Sequence, residues 1–319
     1  MTQKIYVTRK IPDAGMKLLE EQGYDMEVNP EDRVLNPREL LEKVRGRDGV
    51  LCLLTDNIDA EVIEAAAGCK VFSNYAVGFN NVDIEACRRR GIVVTNTPGV
   101  LTDATADHAW ALLLGVARRL VESDGFLRTG NWDGWGPLQY LGVDVTGATL
   151  GIVGAGRIGT GFGLRSAGFN MRVLYTASSE NGELNSKVGA RRVDLDTLLA
   201  ESDFVSLHVP FNESTRHLIG APELARMKPT AVIINTSRGP VVDEKALVAA
   251  LERGHIGGAG LDVYEDEPGL VPGLVDLPNT VLTPHTASAT RTARSRMATL
   301  AAGNLIAVLK GEEPKHRVV

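Results

Sequence analysis

The sequence predicts an α/β protein with two doubly wound parallel-sheet domains, because strand and helix patterns alternate along both halves of its 319 residues. Two further observations support this fold class. A G-x-G-x-x-G run at residues 154–159 follows an apolar strand near the middle of the chain, and four later strands end in polar residues. These observations predict one βα series before the glycine run and a second series that begins with it.

The first third of the chain alternates in short segments. An apolar run at 50–54 has the length of a buried strand. Strands separated by short helices predict a mostly parallel sheet with helices on both faces. The predicted strands are 4–8, 24–28, 50–54, 71–74 and 92–95, and the predicted helices are 14–22, 37–44, 60–67 and 84–90.

Pro98–Gly99 separates this series from a long helix. We expect Thr102 or Asp103 to cap the N-terminus of that helix. An unusual loop at 130–140 follows, before the glycine run. The last helix, at 290–310, is expected to pack on the first domain, which makes that domain discontinuous.

The glycine run predicts a dinucleotide site. Gly154 permits the tight turn from strand to helix, Gly156 lets a pyrophosphate approach the backbone, and Gly159 lets the helix pack close to the strand. The anion then lies against the N–H groups at the positive end of the helix. The strand, helix and strand that this motif requires are predicted at 149–153, 157–168 and 171–176.

Composition and charge exclude several classes of function. A net charge of -6 and a pI near 5.6 argue against a general nucleic-acid binder. No apolar run approaches the roughly 18–20 residues that span a bilayer, and the N-terminus lacks a signal-peptide core. Cys52, Cys69 and Cys87 have neither metal-ligand nor disulfide spacing, so we expect a cytoplasmic protein without a metal site. Because no apolar run can span a bilayer, we also expect no membrane partner.

Polar residues follow the four later strands. Ligands in open α/β sheets bind outside the carboxyl ends of strands, so these residues are expected to line a site. The alternative is that strand ends are simply where chains become polar. The residues concerned are His208 in the first strand end, Thr236 to Gly239 after the second, Asp262 after the third and His285 after the fourth.

Arg238, Glu267 and His285 are the residues best suited to chemistry. A guanidinium binds a carboxylate through two parallel hydrogen bonds, although an arginine after a strand is more often a structural ion-pair partner. Histidine is a proton donor near neutral pH. Glu267 lies in an acidic loop whose other acids, Glu265 and Asp266, we interpret as solvated. The remaining histidines are poorer candidates: His108 in a helix, His208 packed near a cofactor, His217 and His255 in exposed segments, and His316 in the tail.

Together these motifs resemble the D-isomer-specific 2-hydroxyacid dehydrogenase family over nearly the whole chain. Within the family, the chain is most similar to the glyoxylate/hydroxypyruvate reductases, whose W-x-x-W-x-P-L pattern occurs at 132–138. The resemblance implies a Rossmann NAD(P)-binding domain at 100–287 inserted into a flavodoxin-like substrate domain formed by 1–99 and 288–319. The other matching segments are 154–159, 235–239, 260–263, 267–268, 284–285 and 288–294.

The resemblance also implies a reaction, the NAD(P)H-dependent reduction of a small 2-oxo acid such as glyoxylate or hydroxypyruvate to the D-2-hydroxy acid. Arg238 would hold the substrate carboxylate and polarise the carbonyl. His285 would protonate the developing alkoxide, and Glu267 would orient His285 and favour its charged form. Backbone N–H groups of Val77 and Gly78 would form a second carboxylate clamp.

The family's cofactor contacts and its dimer can be placed on this chain as well. Asp262 would meet the nicotinamide carboxamide. The resembled group forms homodimers, in which Trp135 would enter the partner's active site and contact substrate; alternatively, Trp132 and Trp135 fill the space between domains. The expected cofactor-binding residues are Gly154, Gly156, Arg157, Ile158, Gly159, Ser178, Ser179, Pro210, Thr215, Thr236 and Asp262.

The end of the strand at 171–176 indicates which dinucleotide is preferred. An NAD-binding unit usually has an acidic residue there, roughly 20 positions beyond the glycines, and this chain has Ala177. Ser178 and Ser179 can donate hydrogen bonds to a 2′-phosphate, although NADP-preferring relatives often have arginine where this chain has Ser178. We expect NADP(H) to be favoured and NAD(H) to be tolerated. The nearest later charged residues are Glu180, Arg191 and Arg192.

Two alternatives stay open at this point. The chain is also compatible with another D-2-hydroxyacid dehydrogenase, of the D-lactate, phosphoglycerate or phosphite type. Formate dehydrogenase is disfavoured, because Glu267 offers His285 a carboxylate where that group uses an amide. A catalytically idle nucleotide sensor on the same fold is the second alternative, and the presence of Arg238, Glu267 and His285 argues against it.

Overall fold

The computed structural model describes residues 2–319, which divide into two compact units. The described part of unit 1 consists of residues 2–101 and 289–319, and unit 2 is Thr102–Ser288. Unit 2 is therefore an insertion in the sequence of unit 1. All strand pairs of both sheets are parallel, so the predicted α/β fold class with two parallel sheets is confirmed.

The elements follow one another in βα alternation through most of the chain. The first series is β1 (Lys4–Val7), α1 (Asp13–Glu20), β2 (Asp25–Val28), α2 (Pro37–Val44), β3 (Gly49–Leu53), α3 (Ala60–Ala65), β4 (Val71–Tyr75), α4 (Ile84–Arg90) and β5 (Val93–Thr95). The second part is α5 (Thr102–Ala117), α6 (Leu120–Arg128), β6 (Thr149–Val153), α7 (Arg157–Arg165), β7 (Arg172–Thr176), α8 (Gly182–Val188), β8 (Arg191–Arg192), α9 (Leu195–Glu201), β9 (Phe204–Leu207), α10 (Ala221–Arg226), β10 (Val232–Asn235), α11 (Glu244–Glu252), β11 (Gly258–Leu261), β12 (Thr280–Leu282) and α12 (Arg291–Leu309).

Over its described residues, unit 1 contains a five-stranded sheet in the order β2-β1-β3-β4-β5. Helix starts are set by local caps: Asn36 and Glu39 form a reciprocal capping box at α2, and the Asp83 side chain accepts the Ala86 amide at α4. Tyr6, Phe72 and neighbouring apolar residues bury one face of this sheet against helices. The predicted βα alternation therefore forms one parallel sheet that packs against helices.

Helix α12 belongs to unit 1 although it lies at the other end of the chain. It packs on α1 and on strands β3 and β4. Gly15 of α1 allows the close approach, since a β carbon there would lie 2.6 Å from the Ala298 carbonyl oxygen. The Ser73 hydroxyl donates to the Ala301 carbonyl at 2.8 Å, and buried Asn304 donates to the Asn96 carbonyl at 3.1 Å. These contacts fix the helix on the sheet.

Unit 2 contains, over Thr102–Ser288, a seven-stranded sheet in the order β12-β11-β10-β9-β6-β7-β8. The chain runs outward from β6 through β7 to β8 and then returns to β9 on the other side of β6. This reversal creates a crevice at the carboxyl ends of β6 and β9, where open α/β sheets bind ligands.

Three helical details differ from the sequence-based expectation. Thr102 and Asp103 lie inside α5 rather than capping it. A second helix, α6, was not predicted; Arg119, with a φ of 50°, separates it from α5. The helix predicted at 157–168 ends at Arg165 and continues as a 3₁₀ turn. Among residues 2–319, none of the helices has the length and apolar character needed to cross a bilayer.

Candidate active site

The carboxyl ends of five neighbouring strands meet at one edge of the unit 2 sheet. Strands β12, β11, β10, β9 and β6 are adjacent and parallel, so the residues after them lie side by side. The sheet thereby brings together polar residues that are far apart in sequence. In strand order they are Thr283 to His285, Asp262, Thr236, His208 and the glycine turn at Gly154.

The three glycines of the turn after β6 have distinct surroundings. Gly154 has a φ of 96°, and a β carbon there would lie 2.8 Å from the carbonyl carbon of His208. A β carbon on Gly159 would lie 2.0 Å from the carbonyl oxygen of Gly154, whereas one on Gly156 would meet nothing within 4 Å. Helix α7 begins here without a side-chain cap. Open space therefore lies beside helix amides that can bind an anion.

The turn after β10 offers a second indication of a ligand. The hydroxyl of Thr236 is buried and has no hydrogen-bond partner among residues 2–319. Such a group costs roughly 1–3 kcal/mol, which a polar ligand at this position would offset. The open face of Gly156 and this hydroxyl therefore both fit a dinucleotide. The hydroxyl of Thr215, in contrast, is used locally: it donates to the Pro210 carbonyl at 2.8 Å and accepts from the Asn212 amide at 2.9 Å.

Glu267 and His285 form a hydrogen-bonded pair. Nδ1 of His285 lies 2.8 Å from Oε2 of Glu267. A carboxylate only accepts, so Nδ1 carries a proton and Nε2 is left for another partner. Oε1 of Glu267 accepts the Tyr264 amide at 3.0 Å, which fixes the carboxylate. The side chains of His285 and Glu267 are 26% and 31% exposed, so a small molecule can reach the ring.

The charges at this pair are set by its surroundings. Burial raises the pKa of Glu267, but the hydrogen bond and charge of His285, the Tyr264 amide and Arg238 outweigh it, and the pKa lies below its ordinary value. Burial lowers the pKa of Arg238, and the charge of Glu267 opposes that change. Nη1 of Arg238 donates to the Ser237 carbonyl at 2.7 Å. The site therefore holds an ionised carboxylate and a guanidinium at neutral pH.

Asp262 organises the turn that carries His285. Its carboxylate is fully buried; Oδ1 accepts the Thr283 hydroxyl at 2.6 Å and the Thr286 amide at 2.7 Å, and Oδ2 accepts the Ala287 amide at 2.8 Å. The His285 amide donates to the Asp262 carbonyl at 2.9 Å. His285 has a φ of 53°, in the left-handed region that favours glycine, and these bonds hold it there. The expected contact of Asp262 with a nicotinamide stays a prediction.

Two histidines that the sequence ranked as poor candidates lie close to these loops. His108 on α5 places Nε2 3.0 Å from the Thr283 hydroxyl and 3.3 Å from Oδ1 of Asp262. His217 places Nε2 2.6 Å from Oε1 of Glu265, whose side chain is 25% exposed. The interpretation of Glu265 as a solvated acid is therefore wrong. A local sequence pattern could not predict the contact of His108 with Thr283, because 175 positions separate the two residues.

His208 packs against a buried aromatic ring in unit 2. Its ring packs against Phe162, with ring centres 5.0 Å apart, and Nε2 lies 2.9 Å from the Ser206 hydroxyl. Desolvation by the surrounding protein lowers the pKa of His208 to about 3. The imidazole is therefore neutral at physiological pH, and its main chain packs behind Gly154.

The first acidic residue after β7 is held within its own loop. Oε2 of Glu180 accepts the Tyr175 hydroxyl at 2.8 Å and the Asn185 side-chain amide at 2.9 Å. The Asn181 amide donates to the same Tyr175 hydroxyl at 2.8 Å. The loop therefore does not bend in a way that turns Glu180 toward the position that Ala177 occupies.

Arg192 brings a guanidinium to the loop after β7. Its Nε donates to the Ala177 carbonyl at 2.9 Å and its Nη2 to the Ser178 carbonyl at 3.2 Å. Arg191 faces a different group, since its guanidinium lies 3.9 Å from Glu201. Neighbouring residues of a strand point to opposite faces, which explains why only Arg192 reaches this loop.

Unit 1 contains a turn after β4 that can bind an anion. The Asn96 side-chain amide donates to the Val77 carbonyl at 2.7 Å, and that of Asn74 to the Gly78 carbonyl at 3.0 Å. Within residues 2–319, the backbone amides of Val77 and Gly78 donate no hydrogen bond. The turn therefore presents two N–H groups while its carbonyls are tied back.

Several large apolar side chains are exposed on α6 and on the loop that follows it. Trp135 is 84% exposed and Leu138 is 81% exposed. The third tryptophan, Trp110, is instead buried against Phe162 and Phe169. The other exposed members of this surface, which we call the α6–tryptophan patch, are Leu120, Val121, Leu127, Trp132 and Leu141.

Comparison with known proteins places this site in a family. Residues 110–287 match the family model of the D-isomer specific 2-hydroxyacid dehydrogenase, NAD binding domain. A glyoxylate reductase of Thermococcus litoralis is 51% identical over 322 residues, covering 100% of this chain and 97% of that protein. The resemblance predicted from the motifs is thereby confirmed.

Solved structures agree over the full length. A protein of Thermus thermophilus has a TM-score of 0.92 and 47% identity, covering 99% of this chain and 100% of that one. An NADPH-dependent glyoxylate/hydroxypyruvate reductase from Sinorhizobium meliloti, in complex with NADP and malonate, has a TM-score of 0.87 and 32% identity, covering 100% and 97%. The chain belongs to the D-isomer specific 2-hydroxyacid dehydrogenase family.

Proposed function

We propose that this protein is an NAD(P)H-dependent reductase of glyoxylate and hydroxypyruvate that forms the D-2-hydroxy acid. The observation that carries the proposal is the 2.8 Å contact between Glu267 and His285, which leaves Nε2 of a protonatable imidazole accessible at the strand edge. The glyoxylate reductase that is 51% identical over this whole chain supports the substrate class.

In this proposal the residues of unit 2 handle charge and one proton. When bound, the nicotinamide supplies the hydride that reduces C2 of the substrate. Arg238 binds the substrate carboxylate and polarises the neighbouring carbonyl. Nε2 of His285 donates its proton to the carbonyl oxygen as negative charge develops there, and Glu267 stabilises the imidazolium beforehand. The amides of Val77 and Gly78 belong to unit 1, and their role as a second carboxylate clamp is what the family resemblance implies.

We further propose a preference for NADPH over NADH. Ala177 stands where an acid would accept hydrogen bonds from the ribose, and Glu180 is held by Tyr175 and Asn185. Arg192 adds a positive charge beside Ser178, where a 2′-phosphate would lie. The loop therefore favours a nucleotide with a 2′-phosphate over one with a free ribose 2′-hydroxyl.

We propose that the α6–tryptophan patch binds a second copy of this chain. Seven large apolar side chains between residues 120 and 141 are exposed, and such a concentration of exposed apolar side chains is typical of an interface. Trp135, the most exposed of them, is the residue we assign to the partner's active site. The alternative is a monomer whose patch stays exposed to solvent, and the test below distinguishes the two.

Replacing the proton donor tests the reaction. We expect His285→Ala to lower kcat for glyoxylate reduction with NADPH by at least about 100-fold, the lower range for general acid catalysis. The initial rate is followed as loss of absorbance at 340 nm. His255→Ala, at an exposed histidine, is the matched control and should retain wild-type kcat. A His285→Ala enzyme of near wild-type rate would contradict the assignment, and a wild type inert toward a panel of 2-oxo acids would favour the nucleotide sensor.

Replacing the two adjacent arginines tests the nucleotide preference. Arg192→Ala should weaken NADPH binding about tenfold, because a charge-assisted contact is lost, and should leave NADH binding within about twofold. Arg191→Ala, whose guanidinium faces Glu201, should change neither. Dissociation constants come from titration of nucleotide fluorescence. Tighter binding of NADH than NADPH by the wild type, or equal losses for both nucleotides in Arg192→Ala, would refute the preference.

A charge placed in the α6–tryptophan patch tests the dimer. The wild type should have the mass of two copies by light scattering, and Leu127→Glu should convert it to a monomer, because burying an unpaired carboxylate is costly. Val34→Glu, at an exposed apolar residue of unit 1, is the control and should leave the mass unchanged. A monomeric wild type, or a Leu127→Glu protein that stays dimeric, would contradict this interface.

A further inference from the structure

His108, on α5, contacts residues that hold the turn carrying His285. Its side chain is 23% exposed, and its Nε2 is 3.0 Å from Oγ1 of Thr283 and 3.3 Å from Oδ1 of Asp262. All three residues belong to unit 2. Neither the carboxylate clamp nor the Glu267–His285 pair uses this contact.

The direction of each hydrogen bond follows from the chemistry of the partners. Asp262 is ionised and only accepts, so the 2.6 Å contact with Thr283 uses the single proton of the Thr283 hydroxyl. That hydroxyl oxygen must then accept from His108, so Nε2 of His108 carries a proton. The three residues therefore form a chain of donors that ends on Oδ1 of Asp262.

This chain ends on the group that holds the catalytic turn. The carboxylate of Asp262 accepts the amides of Thr286 and Ala287, and the carbonyl of Asp262 accepts the amide of His285. Burial raises the pKa of Asp262, but hydrogen bonds outweigh it, with His108 the strongest contributor among them, so the pKa lies below its ordinary value. A buried carboxylate that lost one of these donors would hold the turn less firmly.

We propose that His108 is a positioning residue for the reaction, acting through Thr283 and Asp262 to hold the turn at 283–287 and with it His285. This inference rests on the proposed function, because it takes His285 as the proton donor. His108 itself contacts neither His285 nor Glu267 in the bonds described above. Its effect should therefore fall on kcat, while substrate binding through Arg238 is spared.

Two replacements of His108 separate a positioning role from simple packing. His108→Leu keeps the volume but has no donor, and should lower kcat about tenfold with KM for glyoxylate within about twofold. His108→Gln keeps an N–H donor at a similar reach and should recover most of the lost kcat. Asp107→Asn, on the same helix and facing Arg165 at 2.6 Å, is the control and should match the wild type. Wild-type kcat in His108→Leu, or no recovery in His108→Gln, would overturn the proposal.

A double replacement tests the path through Thr283. Thr283→Val removes only the middle hydroxyl, and the double variant with His108→Leu should lose less kcat than the product of the two single losses, because Nε2 of His108 acts on Oδ1 of Asp262 both through that hydroxyl and from 3.3 Å. Losses that multiply would overturn the path. This comparison also serves if His108→Leu alone folds poorly, since His108→Met, which likewise lacks an N–H donor, can replace it in the cycle.

Hydrogen exchange separates a failure of this inference from a failure of the proposed function. In the enzyme without nucleotide or substrate, His108→Leu should speed exchange of the Thr286 and Ala287 amides, and His108→Gln should not. Unchanged exchange in His108→Leu would refute the inference even if the enzyme reduces glyoxylate. Faster exchange in an enzyme that reduces none of the 2-oxo acids would support the positioning chain while the proposed reaction fails.

Discussion

The hydrogen bond between Glu267 and His285 is the contact on which the site depends. Its two residues come from the segments after β11 and β12, which are neighbours in a parallel sheet, so the strand order itself brings them within 2.8 Å. Each side is then fixed separately: the Tyr264 amide holds the carboxylate, and Asp262 holds the turn of His285. The geometry of one proton donor thus depends on main-chain and side-chain groups of the two loops that follow β11 and β12.

The same arrangement explains how buried charges are tolerated here. Asp262 is fully buried, and an isolated carboxylate would be very costly there. Two amides, a hydroxyl and a histidine surround its oxygens. These contacts offset the cost of burial and hold the turn that carries His285. Glu267 and Arg238 oppose each other's charge in a similar way. The carboxylates of Asp262 and Glu267 are therefore ionised at neutral pH and already hydrogen-bonded within the protein.

The sequence predicts those parts of the site that depend on local geometry. Gly154, Gly156 and Gly159 have the turn, the open face and the close packing that their spacing indicates. The fold class and the alignment of polar strand ends follow from the βα alternation, which is also local. The family resemblance extends these predictions to the roles of Arg238 and His285, which the structure brings to the expected sheet edge without testing them.

Long-range contacts are the part that the sequence does not predict. His108 reaches Thr283 across 175 residues, and His217 pairs with Glu265 across 48, so no window of sequence contains either pair. Arg192 reaches the loop after β7 only because β8 pairs with β7 in one register. Helix α6 was missed because its apolar side chains face solvent, and no amphipathic pattern marks it.

The most direct test of the central claim is the pH dependence of kcat/KM for glyoxylate in Glu267→Gln and the wild type. The pKa of Glu267 lies below its ordinary value of 4.5, so its carboxylate is ionised throughout the range from about pH 5 to 8 in which histidine side chains generally change charge. An amide stabilises an imidazolium less than a carboxylate does. The alkaline fall in rate should therefore begin at lower pH in Glu267→Gln, and the rate at neutral pH should drop. Superimposable profiles for the two enzymes would contradict the role of this pair.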